Sequence, residues 1–238
     1  MIDFHSHILP GIDDGSANVP ESVALLQMLA AQGVDTVVAT PHFYANHESI
    51  SRFLARRKAS FDSLKEKMPA DAPNVLLGAE IRYYEGISRL NGLESLCIEG
   101  SKLLLLEMPM EKWTEYTIHE LIDLSCSAKI RIVLAHIERY WSLQNRAVWD
   151  RLLECDLLMQ VNASFFNRFG TRRKAIKLLA NGTVRLIGSD CHNLTDRAPQ
   201  IQKAFDRIQR KLGIEFVTHL NDYTHELLLE SQPIYHKS

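Results

Sequence analysis

The chain has 238 residues, of which 46% are hydrophobic and 24% charged, and its formal net charge is −2. These proportions exclude a disordered chain, a collagen-like repeat and a disulfide scaffold, and without a basic excess no nucleic-acid partner is expected. No apolar run approaches the ~18 residues of a membrane helix, the opening Met-Ile-Asp-Phe-His has no leader character, and four cysteines without CxxC spacing read as reduced thiols, so a cytoplasmic protein with no direct membrane insertion is expected.

Short apolar or β-branched runs occupy residues 1–4, 35–40, 74–78, 102–106, 131–135, 157–161 and 184–188. The first helix is expected over 20–32, where Val23, Leu26, Leu29 and Ala30 keep a helical period. Asn18 with Glu21 has the form of a capping box, Pro20 suits a first turn, and Gly33 stops the helix. Further helices are expected over 51–68, 114–128, 145–155, 171–181 and 196–212. Strand then helix, repeated about seven times, is the pattern of parallel βαβ units. No linker or low-complexity tract cuts the chain, so one domain over 1–238 is expected. A closed or nearly closed (β/α) barrel fits this pattern better than an open sheet.

The polar residues sit where the runs end. The ends read Asp3-Phe4-His5-Ser6-His7, Thr40-Pro41-His42, Gly78-Ala79-Glu80, Leu106-Glu107, Ala135-His136-Ile137-Glu138-Arg139, Val161-Asn162 and Gly188-Ser189-Asp190-Cys191-His192. In (β/α) barrels such ends converge on one face and build the active site. His5 and His7, spaced i, i+2, project to one side of an extended chain, and Asp190 with His192 repeats the spacing. One such pair is commonly two surface histidines; a whole set in phase with the strands points to a metal centre. Imidazole and carboxylate without thiolate suit Mn²⁺, Fe or Zn²⁺ rather than a structural Cys₄ zinc site. A carboxylate can bridge two ions, and neighbouring ions lower the pKa of a shared water and clamp an in-line displacement at phosphorus. Arg139 and Arg197 match phosphate oxygens in bidentate fashion. In the loop Leu9-Pro10-Gly11-Ile12-Asp13-Asp14-Gly15, Asp14 is the expected additional ligand and Asp13 an orienting neighbour.

The segments IDFHSHILPGIDDG, ATPHF, GAE, LLE, AHIERY and SDCHN resemble the PHP (polymerase and histidinol phosphatase) superfamily. Within it they resemble the manganese-dependent protein-tyrosine phosphatases of bacterial capsular and exopolysaccharide operons. The likeness runs from Met1 to about residue 200. HSHILPGIDDG with HIERY and SDxHN makes it specific, since HxH alone also opens amidohydrolases. The resemblance implies an α/β fold of the PHP type, a distorted (β/α)₇ TIM-like barrel, holding three divalent metal ions, Mn²⁺ first, with Fe or Zn²⁺ as alternatives. His5, His7, Glu80 and Asp190 would hold one ion. Glu80 would bridge to a second, held also by Glu107 and His136, and Asp14, His42 and His192 would hold the third. Histidinol phosphatases often carry His where this chain has Glu107 and Asp14, so the carboxylates favour the tyrosine-phosphatase branch. Arg139 and Arg197 would bind the phosphoryl group and stabilise the transition state. The implied substrate is phosphotyrosine in the tail of a membrane-associated tyrosine autokinase that controls polymer chain length and export.

The expected reaction is direct in-line attack by a metal-bridging hydroxide, with no phospho-enzyme. The phenolate leaving group, with a pKa near ~10, needs less protonation than an alkoxide; His42 and Asp14 are the candidate acids. The alternative is a PHP phosphoesterase acting on a small phosphate monoester such as histidinol phosphate. A deacetylase or amidohydrolase would more usually show a carboxylated Lys or a lone late Asp than an arginine pair. Cys191 to Arg197 also satisfies Cys-x₅-Arg, the pattern of thiolate phosphatases. That segment has no glycine to wrap a phosphate, and Asp190 and Asp196 flank the thiol with negative charge. His119 is expected on a helix surface, and His219, His225 and His236 in a solvated C-terminal region. His47, Phe43, Tyr44, Phe165 and Phe166 belong either to the site mouth or to packing, and Trp113 and Trp141 to helix–barrel packing or the rim. Nothing in the sequence sets an oligomeric state.

Overall fold

A computed structural model of the chain describes residues 1–229. It shows an α/β fold built on parallel strands. Strand β1 (Ile2–Ser6) leads to α1 (Val19–Ala31), then to β2 (Thr36–Ala39), the short β3 (His42–Phe43), α2 (Ile50–Lys65), β4 (Asn74–Leu77) and β5 (Glu80–Arg82). Two 3₁₀ turns (Ile87–Arg89 and Leu93–Leu96) precede β6 (Leu103–Glu107), α3 (Glu115–Ser125), β7 (Arg131–Leu134), α4 (Arg146–Leu153) and β8 (Leu158–Asn162). The chain continues through α5 (Ala163–Asn167), α6 (Arg172–Ala180), β9 (Leu186–Gly188), α7 (Ile201–Leu212) and α8 (Ile214–Leu229).

The strands form two parallel sheets, ordered β1-β2-β4 and β3-β5-β6-β7-β8-β9. β3 and β5 prolong β2 and β4 past Thr40-Pro41 and Gly78-Ala79, with register passing from Ala39↔Leu77 to His42↔Glu80. Pro41 has no N–H to give a ladder, which suits it to such a break. At the other edge the His7 amide donates to the Cys191 carbonyl at 2.9 Å and the Asp190 amide to the His5 carbonyl at 2.7 Å. Those bonds tie β1 to the chain just past β9.

All seven expected strand runs form strands, and six expected helices form close to their expected bounds. Asn18 caps α1 by accepting the Glu21 amide at 3.0 Å, whereas the Glu21 carboxylate reaches the Ala17 amide, one residue short of a true capping box. α7 begins at Ile201, later than expected. Asn193 Oδ1 accepts both the Thr195 and Arg197 amides and holds that stretch as a turn. Residues 214–229 form helix α8, which is only partly solvated. Val217, Leu220, Thr224, Leu227 and Leu228 form its buried stripe, while His219 and His225 are exposed, His225 reaching Asp35 at 3.2 Å. His236 lies outside the described residues.

Both faces of the strands are buried, as parallel sheets under helices require. Leu104 and Leu106 of β6 pack into a large cluster with helix residues such as Leu29, Phe53 and Leu121. Leu103 and Leu105 join Ile2, Phe4, Val133 and Leu158 in a smaller cluster of mainly strand residues, to which α8 adds Leu227 and Leu228. By the two-residue period, Glu107 shares the face of Leu103 and Leu105, and Gln160 and Asn162 share that of Leu158. One face is thus apolar at the strand starts and polar at the strand ends. Leu227→Ala is expected to cost about 2–5 kcal/mol, read by chemical denaturation; a change below about 1 kcal/mol would place α8 outside the core.

Candidate metal centre

The nine expected donors come together. Four groups have donor atoms within 4.8 Å of one another: His7, Asp14, His42 and His192; His5, His7 and Asp190; His5, Glu80 and His136; and His42, Glu80 and Glu107. The grouping differs from the expected sets. His7 joins the Asp14 group, Glu80 is grouped with His5 and His136 and not with His5, His7 and Asp190 together, and Glu107 groups with His42 and Glu80, standing 3.6 Å from His136. His5, His7, Glu80, His136, Asp190 and His192 are buried, whereas the Asp14 side chain is 65% exposed at the mouth.

Glu80 is the hub. Its carboxylate lies 3.2 Å from His5 Nε2, 3.2 Å from His7 Nε2, 3.1 Å from His42 Nδ1 and 2.8 Å from His136 Nε2. Burial alone would raise its pKa, but the His5 charge, the His136 hydrogen bond and the close approach of His42 hold it well below the usual range. Asp190 is likewise held down, against its burial, by His5, His7 and Arg139. His5 Nε2 and His7 Nε2 face each other at 3.1 Å. Two ring nitrogens so placed repel unless a proton or a cation lies between them. Meanwhile His42 Nδ1, His136 Nδ1 and His192 Nε2 are buried without a hydrogen-bond partner. His42 Nδ1 is close to Glu80 but not aligned for a hydrogen bond. Burial, then repulsion from His7, presses His192 down to about 4, so it stays neutral and able to donate a lone pair. Converging lone pairs, buried carboxylates and no sulfur make a donor set that fits divalent cations.

Local structure aims these groups. His136 and Asp190 have left-handed backbone, with φ of 31° and 54°. Such conformations cost non-glycine residues about 1–3 kcal/mol and cluster at functional sites. An extended His136 would point away from the face of Val133 and Ala135; the left-handed turn brings its ring to Glu80. Asp13 Oδ2 lies 2.8 Å from His7 Nδ1 and also accepts the His42 amide at 3.0 Å, the orienting part expected of it. A Cβ on Gly15 would meet the His7 carbonyl at 2.3 Å, and one on Gly188 would meet the His5 Cβ at 2.5 Å. Both histidines of the HxH pair therefore rest against a glycine.

Four supporting residues had no assigned part. Gln160 Oε1 accepts the His136 amide at 2.7 Å, and Gln160 Nε2 donates to Asn162 Oδ1 at 3.0 Å; Asn162 in turn donates to Asp190 at 2.8 Å. A glutamine inside the apolar run 157–161 was the available signal. Asp3 accepts the Ser189 amide at 2.7 Å and the His5 amide at 3.2 Å, and burial pushes its pKa up to about 6. Glu138 accepts the Asn162 amide at 3.1 Å, and burial pushes it up to about 7.

Arg139 and Arg197 both engage Asp190, Arg197 at 2.8 Å, and line a cavity of about 470 Å³ beside the donors. Cys191 is fully buried, and burial, then the charge of Asp3, raises its thiol pKa far above the ordinary value. A thiol that is neither ionised nor accessible cannot be a nucleophile. Phe43 is buried against Phe53, so it is packing and not a ring contact for a ligand. Tyr44 and His47 line a second cavity with His42 and Asp14. Phe165 and Phe166 are buried, Trp113 packs on Tyr140 and Trp149, Trp141 stacks on Trp149, and His119 is exposed.

The His7–Asp13 pair makes a pH prediction for chelator-stripped protein. Burial opposes the charge on His7, but hydrogen bonds to Asp13 and Glu80 carry its pKa up to about 10; burial opposes ionised Asp13, but His7 holds it at about 2. The share from His7 is present below its ordinary pKa of 6.5 and lost as pH rises through about 10. The share from Asp13 is present above its ordinary 3.8 and lost as pH falls through about 2. Asp13→Asn is expected to lower the His7 pKa, followed by NMR of the imidazole, and to flatten stability at both extremes. An unchanged His7 titration would contradict this pairing.

Known proteins resemble this chain over nearly its whole length. The family model described as capsular polysaccharide synthesis, CpsB/CapC, matches residues 1–230. The tyrosine-protein phosphatase YwqE of Bacillus subtilis is 30% identical, the match covering 99% of this chain and 94% of that protein. The tyrosine-protein phosphatase CpsB of Streptococcus pneumoniae is 33% identical, covering 90% and 91%. A crystal structure from work on YwqE and CpsB, described as unique metal-dependent tyrosine phosphatases, superposes with a TM-score of 0.81 at 26% identity, covering 99% of this chain and 96% of that one. With its strand-end donors, its paired arginines and a match of this length, the chain belongs to the CpsB/CapC family of capsular polysaccharide synthesis.

Proposed function

We propose that this protein is a metal-dependent protein-tyrosine phosphatase of the cytoplasm. Its substrate would be phosphotyrosine on a membrane-associated tyrosine autokinase that regulates capsular or exopolysaccharide synthesis. The observation that carries the reading is two arginines meeting at Asp190 beside nine clustered imidazole and carboxylate donors. Relatives matched over nine-tenths of the chain or more are named tyrosine-protein phosphatases. Four free cysteines suit a reducing compartment, and among the described residues no helix is long and apolar enough to cross a membrane. The strand order, with hydrogen bonds joining β1 to the end of β9, supports a distorted (β/α)₇ barrel of the PHP type.

On this reading the donors hold three divalent ions, most simply Mn²⁺, through His5, His7, Asp14, His42, Glu80, Glu107, His136, Asp190 and His192. When bound, such ions supply Lewis acidity toward phosphoryl oxygens and nucleophilic hydroxide at neutral pH. Arg139 and Arg197 place the phosphoryl group and offset the charge that grows on its oxygens during in-line displacement. Asp13 fixes the His7 ring, and Gln160 and Asn162 steady His136 and Asp190. His42 and Asp14, at the mouth, are the candidate acids for the departing phenolate. The buried, un-ionised Cys191 takes no part.

Chelation is expected to abolish hydrolysis of a phosphotyrosyl peptide and Mn²⁺ to restore it, while Cys191→Ser keeps turnover within about threefold, allowing for small repacking losses. An active metal-free preparation, or loss of activity in Cys191→Ser with unchanged folding, would overturn the reading. Arg139→Ala and Arg197→Ala are each expected to lower kcat/KM by about 10²–10³, with metal content unchanged by elemental analysis.

A further inference from the structure

The cavity that contains Arg139 and Arg197 does not end with them. It continues to Arg168, just past α5, and to Lys203 on α7. Its volume of about 470 Å³ lies in the ~300–1,000 Å³ range of sites that enclose whole small ligands, more than one phosphoryl group fills. Arg139 and Arg197 are engaged by Asp190. Arg168 and Lys203 have no ion-pair partner among the described residues. The carboxylates lining the same cavity are Glu138, Asp190 and Asp196. Glu138 is tied to the Asn162 amide and Asp190 to the two arginines, which leaves only exposed Asp196 to balance the outer wall. Positive charge also continues along the chain past Arg168. Residues 168–177 carry five cations and no acid, in a chain whose net charge is −2. Arg207 feels it: burial first, then the charges of Arg172 and Arg210, press its pKa below the ordinary value.

We propose that Arg168 and Lys203 form a subsite for a carboxylate side chain of the substrate, an Asp or Glu flanking the phosphotyrosine, so that the enzyme selects acidic phosphopeptides. This rests on the phosphatase reading above. The phosphoryl group sits inward against Arg139 and Arg197, and the flanking carboxylate meets the outer pair. Contacts of this kind are equally strong before and during the reaction, so they act on KM and leave kcat nearly unchanged. Exposed ion pairs are individually weak and screened by salt. A preference of about fivefold to tenfold is therefore expected from two of them.

The test measures kcat and KM for wild type and for the R168E/K203E double variant. The substrates are phosphotyrosyl peptides that differ only in Glu, Ala or Lys beside the phosphotyrosine, together with p-nitrophenyl phosphate. Wild type is expected to show the lowest KM for the Glu peptide, with the preference shrinking as salt is raised. The double variant should lose or invert that preference and hydrolyse p-nitrophenyl phosphate within about twofold of wild type, since the small ester does not reach the outer wall. Equal KM for all three peptides in wild type overturns the subsite and leaves the phosphatase reading intact. A parallel loss on p-nitrophenyl phosphate also overturns it, because it makes the two residues structural. No turnover of any phosphotyrosyl peptide by the Mn²⁺-loaded protein overturns both readings. The wild-type series does not depend on the variant folding; Lys203→Ala, a milder change, serves as its check.

Discussion

Four imidazoles around one buried carboxylate set the terms for everything else in this molecule. Glu80 could not be surrounded by His5, His7, His42 and His136 at about 3 Å by one segment of chain. Side chains on a single strand diverge to alternate faces, and a single helix presents only neighbours three and four residues apart. Convergence needs parallel strands ending at one level. The fold answers that requirement with strands whose starts are apolar and whose ends are polar on the same face. The small cluster around Leu103, Leu105 and Leu158 fills one end, which leaves the other free for groups that a hydrophobic core would reject. Buried polar groups are tolerated only when satisfied, and here many are not satisfied by the protein alone.

The same demand explains the departures from regular geometry. Pro41 interrupts one stave of the sheet just before His42, and Gly78-Ala79 interrupts the next just before Glu80. His136 and Asp190 adopt left-handed backbone where a strand would have sent the chain straight on. Gly15 and Gly188 keep the backs of His7 and His5 clear. Each is a local cost accepted at a point where a donor must be aimed, and all but the Gly78-Ala79 break are braced by hydrogen bonds to Asp3, Asp13 or Gln160 or from Asn162.

Much of this was legible in the sequence because two periodicities coincide. The strand runs alternate with helical stretches, and donors appear in phase with the run ends, so their convergence could be read without coordinates. Asp13 as an orienting group was legible from its neighbourhood to Asp14. What the sequence could not carry was pairing across space. The sharing of His7 between groups, the placement of Glu107 with His42, and the brace from Gln160 depend on a few ångströms between separate strands. Phe43 illustrates the limit from the other side. Its position beside His42 invited a ligand contact, but strand alternation turns it inward onto Phe53. Helix α8 was legible in principle from the spacing of Val217, Leu220, Leu227 and Leu228, and was obscured by its many polar neighbours.

Cys191 sits between two of the donors yet is sealed from solvent with its thiol held protonated. Sulfenic acid formation, alkylation and glutathionylation all require an accessible thiolate. A phosphatase that works through a cysteine nucleophile is switched off by peroxide because its reactive group is also its oxidisable group. This chain separates the two: the sulfur nearest the centre is inert, and nothing in the donor set is sulfur. Whatever signal controls the protein, oxidation of an active-site cysteine is not available to it.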